Sequence, residues 1–181
     1  MINQDVQILL NTCREELQGI QALLTGLGPE AKPTPYVKKY AVIRATGAVE
    51  WGFKKIIADK VDEDSHQQVK NFIERKIRKS SCNPKMGQIE NMILEFDSRW
   101  HSKFLELISL ANKPTLTSAL KNLVDARNSF AHGGDPDFDI DDTVSCFDSA
   151  IQVLQILDAT VHFEFDEEDQ IEDEEIIEIN N

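Results

Sequence analysis

Apolar residues recur at three-four spacing along most of the chain. Val6, Leu9, Leu10, Cys13, Leu17, Ile20 and Leu24 share one side of a helical wheel, so this spacing predicts a helix with one buried face. TGLGPEAKPTP, residues 25–35, interrupts it with two glycines and three prolines. A second helix is expected from about Tyr36 to Val61, carrying Val37, Tyr40, Ala41, Ala48, Trp51 and Phe53. Gly47 and Gly52 lie inside it. Each costs about 1 kcal/mol in a helix interior, and a closely packed neighbouring backbone is a reason to keep them. Ser65 opens a third helix, with Val69, Phe72, Ile73 and Ile77 inward and its lysines and arginines outward. Asn83 followed by Pro84 reads as an N-cap and a proline at the first helical position. Met86, Ile89, Ile93 and Phe96 then form a fourth inward face, and Trp100, Phe104, Leu107 and Ile108 a fifth, separate or continuous with it.

NKPTLT, residues 112–117, is the next break. A helix follows from Leu116 to His132, with Leu120, Leu123, Val124, Arg127 and Ala131 along one side, and Gly133 and Gly134 stop it. DPDFDIDD, residues 135–142, reads as a turn and an N-cap. The last long helix runs to about His162 with Val144, Phe147, Ile151, Leu154, Leu157 and Val161 on a face. Only IIEIN near the end could form a short strand, and the charge around it favours disorder instead. The expectation is an all-α fold: an up-and-down bundle of five to seven helices. Residues 1–162 make the bundle, with an N-terminal helix and linker (1–34) and a core (35–162). Residues 163–181 are an acidic tail.

Charge refines this picture. The chain of 181 residues has a net charge of -13, but ten of its acidic side chains lie in residues 163–181, which hold no basic ones. The body keeps 22 acidic and 19 basic residues and is nearly neutral. Within it, VKNFIERKIRKSSCNPK (69–85) holds six basic residues against one acidic. Its stripe of Lys70, Arg75, Lys76, Arg78 and Lys79 is either a solvated helix face or a surface for phosphates, which respond to local charge. The hydrophobic fraction of 41% suits a globular domain. No apolar run approaches the roughly 18 residues of a membrane span, and MINQDVQILLN has no basic leader, so a cytoplasmic protein without a membrane partner is expected. Cys13, Cys82 and Cys146 are odd in number and far apart, which suits free thiols in a reducing compartment.

The densest chemistry is ARNSFAHGG, residues 126–134. Asn128 and His132 are four apart and share a helical face; Arg127 lies about 140° from His132. All three occupy the last turns of a helix, an end that favours a cation. A histidine can move a proton. An arginine can grip a phosphate and relieve charge developing on it. An asparagine can orient either one. These roles fit cleavage of a phosphodiester by the RNA's own 2'-hydroxyl. The plainer alternative is an arginine paired with a carboxylate, a local asparagine cap and a helix-terminal histidine.

ARNSFAHGG resembles the signature of the HEPN superfamily: arginine, a polar residue, a few positions, then histidine, near the start of the last pair of helices. YAVIRATGAVEWGFKKI upstream and the helix after HGG look like the RiboL-PSP and MAE-type branches, and the resemblance covers roughly residues 35 to 162. It implies an all-helical bundle, and for many members a metal-independent endoribonuclease of toxin–antitoxin, CRISPR-associated or phage-defence systems. Such members dimerise so that two motifs share one cleft. Carried over, the catalytic residues are Arg127, Asn128 and His132, the partners are RNA, a second copy of the chain and an antitoxin or defence-system protein, and no cofactor is implied. One branch has a tyrosine, the site of nucleotide attachment, two positions after the histidine; here Gly134 stands there. Arg44 and Glu50 on the second helix are candidates to brace the motif from across the bundle.

Other constellations fail. An EF-hand reading of Asp135, Asp137, Asp139 and Asp141 would want glycine at Ile140 and glutamate at Cys146. The histidines at 66, 101, 132 and 162 lack metal-ligand spacing, so no metal site is expected. The acidic tail either solvates the chain or mimics nucleic acid against a basic groove. The rival to an enzyme is a non-catalytic helical module of the same fold that binds RNA or protein.

Overall fold

Asn3 sets where the chain first turns helical. In the computed structural model, which describes residues 1–165, its side chain accepts the Val6 N–H at 3.2 Å and opens α1 (Gln4–Leu27). Gly28 closes α1 at φ +82°, a region that favours glycine, and its N–H returns to the Leu24 carbonyl at 3.0 Å. Six helices follow: α2 (Thr34–Asp62), α3 (Gln67–Ile73), α4 (Met86–Phe96), α5 (Ser98–Leu110), α6 (Lys113–Ala131) and α7 (Ile140–Val161). A π-helical turn, Glu74–Arg78, extends α3. The described residues thus form an all-α bundle.

Helices α2 and α7 lie side by side at its centre, with α1 and α6 packed against both. Val6 and Leu10 of α1, Phe53 and Ile57 of α2, and Phe147, Leu154 and Leu157 of α7 are buried together. A Cβ on Gly52 would lie 2.8 Å from Leu154 Cδ1 and 3.3 Å from Val6 Cγ1. This glycine therefore lets α1 and α7 close on α2, while Gly47 faces open space. Asp158, buried on α7, ties down the N-terminus by accepting the Ile2 and Asn3 N–H groups. Helix α7 is long and apolar enough to cross a bilayer. Its place between α1, α2, α5 and α6 accounts for that apolarity.

Several local expectations are corrected. Asn83 does not cap a helix: Lys85 is the N-cap of α4, and Asn83 and Pro84 belong to the loop before it. Helices α4 and α5 are separate, because Asp97 adopts an extended conformation and accepts the Arg99 and Trp100 N–H groups as N-cap of α5. Helix α6 begins at Lys113, with Pro114 in its first turn. Val69 and Phe72 face outward. Only Ile73 and Ile77 of that segment reach the bundle, against Ala58, Val61, Met92 and Phe96, so its edge is too narrow to cover four apolar side chains. A stripe of α2, Tyr36, Tyr40, Ile43 and Trp51, is also exposed. Residues 166–181, with the IIEIN segment and most of the acidic tail, lie outside the described residues.

Candidate active site

The motif closes α6. His132 is the C-cap, and its N–H reaches the Asn128 and Ser129 carbonyls at 3.1 and 3.2 Å. Gly133 follows at φ +82° and donates to Phe130; Gly134 donates to Ser129 at 2.8 Å. This crossed pair is a Schellman ending, and it explains both glycines. The first needs the left-handed region. At the second, a Cβ would lie 2.3 Å from Ser129 Oγ and 3.1 Å from the Ser129 carbonyl oxygen, so any side chain there would require Ser129 to shift.

His132 is exposed, and its imidazole makes no hydrogen bond among the described residues. Asn128 is half-buried one turn earlier, and Arg127 is half-buried beside it. Arg127 sits about 7.5 Å from His132 along the helix axis.

Arg127 Nη2 donates to Asn83 Oδ1 at 2.8 Å, and that bond rests on a buried brace. Lys54 of α2, only 6% exposed, donates to Glu50 Oε1 at 3.0 Å and to the Ser80 carbonyl at 2.6 Å. Glu50 Oε1 also accepts the Cys82 N–H at 2.9 Å. Loop 80–85 is thereby pinned to α2. Lys85, at its far end, donates to Asp125 of α6 at 2.8 Å. Hydrogen bonds from Lys121 and Lys85 hold the Asp125 carboxyl below the usual aspartate range. The chain of contacts runs from Glu50 and Lys54 through Asn83 to Arg127.

Removing one partner of a buried ion pair strands the other. Lys54→Met is therefore expected to cost about 3 kcal/mol of folding stability, read as a lower urea midpoint. Glu50→Gln, which keeps an acceptor oxygen for the Cys82 N–H, should cost less.

The remaining sequence candidates fall elsewhere. Arg44 faces α1, where it pairs with Glu16, so the structure does not bring it to the motif. In the basic stripe, Arg78 is engaged by Asp59, Asp62 and Glu74, and Lys79 by Glu74 at 3.2 Å. Lys70, Arg75 and Lys76 have no ion pair among the described residues. No cluster of three or more His, Cys, Asp or Glu that could hold a metal occurs among the described residues. The three cysteines are free thiols, and burial pushes Cys13 up to about 11.

A cleft of about 320 Å³ adjoins the motif. Thr34, Pro35 and Lys38 line one side, and Phe130, Asp135 and Phe138 the other. The Lys39 ammonium lies 5.5 Å from the centre of the Phe130 ring, so the start of α2 stands level with the last turn of α6. Sequence reasoning missed Asn83, whose side chain looked like a cap, and Lys54. A lysine inside the apolar run of α2 was the available signal for the second.

A family model described as RiboL-PSP-HEPN matches residues 9–162. The match begins inside α1 and takes in α2 to α7. No curated protein and no solved structure matches the chain.

Proposed function

Because the chain belongs to the RiboL-PSP-HEPN family, we propose that it is an endoribonuclease that cleaves RNA by attack of the substrate's own 2'-hydroxyl. The supporting observation is an exposed His132, whose ring makes no hydrogen bond among the described residues, on the same helix end as an Arg127 held by Asn83. In this reading the 2'-oxygen attacks phosphorus and loses its proton to an imidazole. The P–O5' bond breaks, and the leaving oxygen takes a proton from a second imidazole. Arg127 balances the charge that builds on the phosphoryl oxygens, and Asn128 orients the phosphate or the ring. The nucleophile comes from the RNA and the proton transfers from histidine, so the chemistry needs no metal.

The site is completed by a second copy of the chain, because the motif supplies one histidine and the reaction uses two proton-transfer groups. The exposed Tyr36, Tyr40 and Ile43 offer the surface. The same stretch of α2 carries Lys39, which lies over Phe130 of α6. A two-fold axis through this surface would bring the ends of two α6 helices to one cleft. The resemblance extends this to a toxin–antitoxin or phage-defence effector with its own antitoxin or activator. A cytoplasmic setting suits its free thiols.

The test is incubation of the full chain with end-labelled RNA in EDTA. Cleavage is expected; intact RNA under these conditions would favour a non-catalytic binding module. A mixed dimer of one unmodified and one His132→Ala chain is expected to lose most activity rather than half. Half activity, or full activity from a Tyr40→Arg monomer, would refute the shared site.

A further inference from the structure

Phe72 is 57% exposed at the centre of a helical patch whose neighbours one turn away, Gln68, Val69, Arg75 and Lys76, are all exposed. The patch rests on a fixed base, since Ile73 and Ile77 are buried against α2 and α4. Its cations differ from those beside them. Arg78 and Lys79 are neutralised by carboxylates, while Arg75 and Lys76 have no ion pair among the described residues. In a body that holds 22 acidic and 19 basic residues, cations left unpaired around an exposed aromatic ring mark a place for an anion with a flat face. A π-helical turn, a feature frequent at functional sites, carries both cations.

We propose that Phe72, flanked by Arg75 and Lys76, is a stacking platform for single-stranded RNA that holds the substrate away from the cleavage site. The proposal rests on the reading of this chain as an RNA-cleaving enzyme and specifies which RNA it takes. A base stacks on the ring and the cations take the adjoining phosphates, a combination that binds single strands with little sequence preference. A duplex hides its base faces and cannot use the ring. The platform is also within reach. Helical rise from 72 to 79 and a fully extended chain from 79 to 83 put Phe72 at most about 25 Å from Asn83. A few nucleotides of extended strand cover that distance.

The test measures binding separately from cleavage. The full-length His132→Ala chain is titrated into a short fluorescein-labelled oligouridylate in EDTA, with anisotropy as the readout. Adding Phe72→Ala or Phe72→Leu is expected to weaken binding about tenfold, and Phe72→Trp to retain it. Arg75→Gln with Lys76→Gln should lower the slope of log affinity against log salt by about 1.4. A duplex of the same length should bind more weakly and be indifferent to Phe72→Ala. Unchanged binding by Phe72→Ala, or full binding by Phe72→Leu, would overturn the platform. If the unmodified chain leaves RNA intact while these binding effects appear, the catalytic reading fails and the platform stands.

Discussion

His132→Ala is expected to reduce RNA cleavage by about a thousandfold, within the range for loss of a general acid or base. The helical signal and urea midpoint should not move. The residue has no packing role to lose: it is exposed, and its ring makes no hydrogen bond among the described residues. Its backbone N–H closes the helix, and alanine keeps that N–H. Cleavage by Arg127→Ala is expected to fall by about a hundredfold or more, because in the proposed reaction it removes the charge opposite the developing phosphorane. The Arg127 side chain does hold Asn83, so a small stability change accompanies it. Arg127→Lys separates the two roles. Lysine restores the charge but not the forked geometry, so partial recovery would identify how much of the effect is charge alone. Near-normal cleavage by either alanine variant with an unchanged fold would remove these residues from the site.

A single 2'-deoxy substitution at the cut position should abolish cleavage there, an effect larger than that of any side-chain replacement. In the proposed reaction the 2'-hydroxyl is the nucleophile, and its removal leaves His132 nothing to activate. The products of unmodified RNA should carry a 2',3'-cyclic phosphate and a 5'-hydroxyl, because the attacking oxygen stays on the same ribose as the phosphate. Phosphatase and kinase treatment of the fragments reads both ends: the 5'-hydroxyl accepts a labelled phosphate directly, and the cyclic end resists phosphatase until opened by acid. Fragments with 3'-hydroxyl and 5'-phosphate ends would instead require attack by water. The residues proposed as base and acid would then need a different assignment.

The fold was legible because each long helix carries its own periodicity and its own stop. Gly28 and Gly133 end helices through backbone conformations that glycine favours, and Asp139 and Asp142 form a capping box at the start of α7. These are local rules, written in residues a few positions apart. Val69 and Phe72 were misread because periodicity describes a helix alone. Whether a face is covered depends on how much neighbouring surface exists, and the α3 segment finds room for only Ile73 and Ile77.

The sequence by itself determined that the chain is helical, where α1 and α6 stop, and the grouping of Arg127, Asn128 and His132, since all three lie within six positions at the end of one helix. Only the tertiary structure decided what supports them. Asn83 meets Arg127 across 44 residues, and Glu50 meets the Cys82 N–H across 32. Contacts at such separations leave no periodic trace. They exist because packing of α2 against α6 and the intervening loop brings the groups within hydrogen-bond range, and because a lysine buried as deeply as Lys54 must find partners wherever the fold offers them.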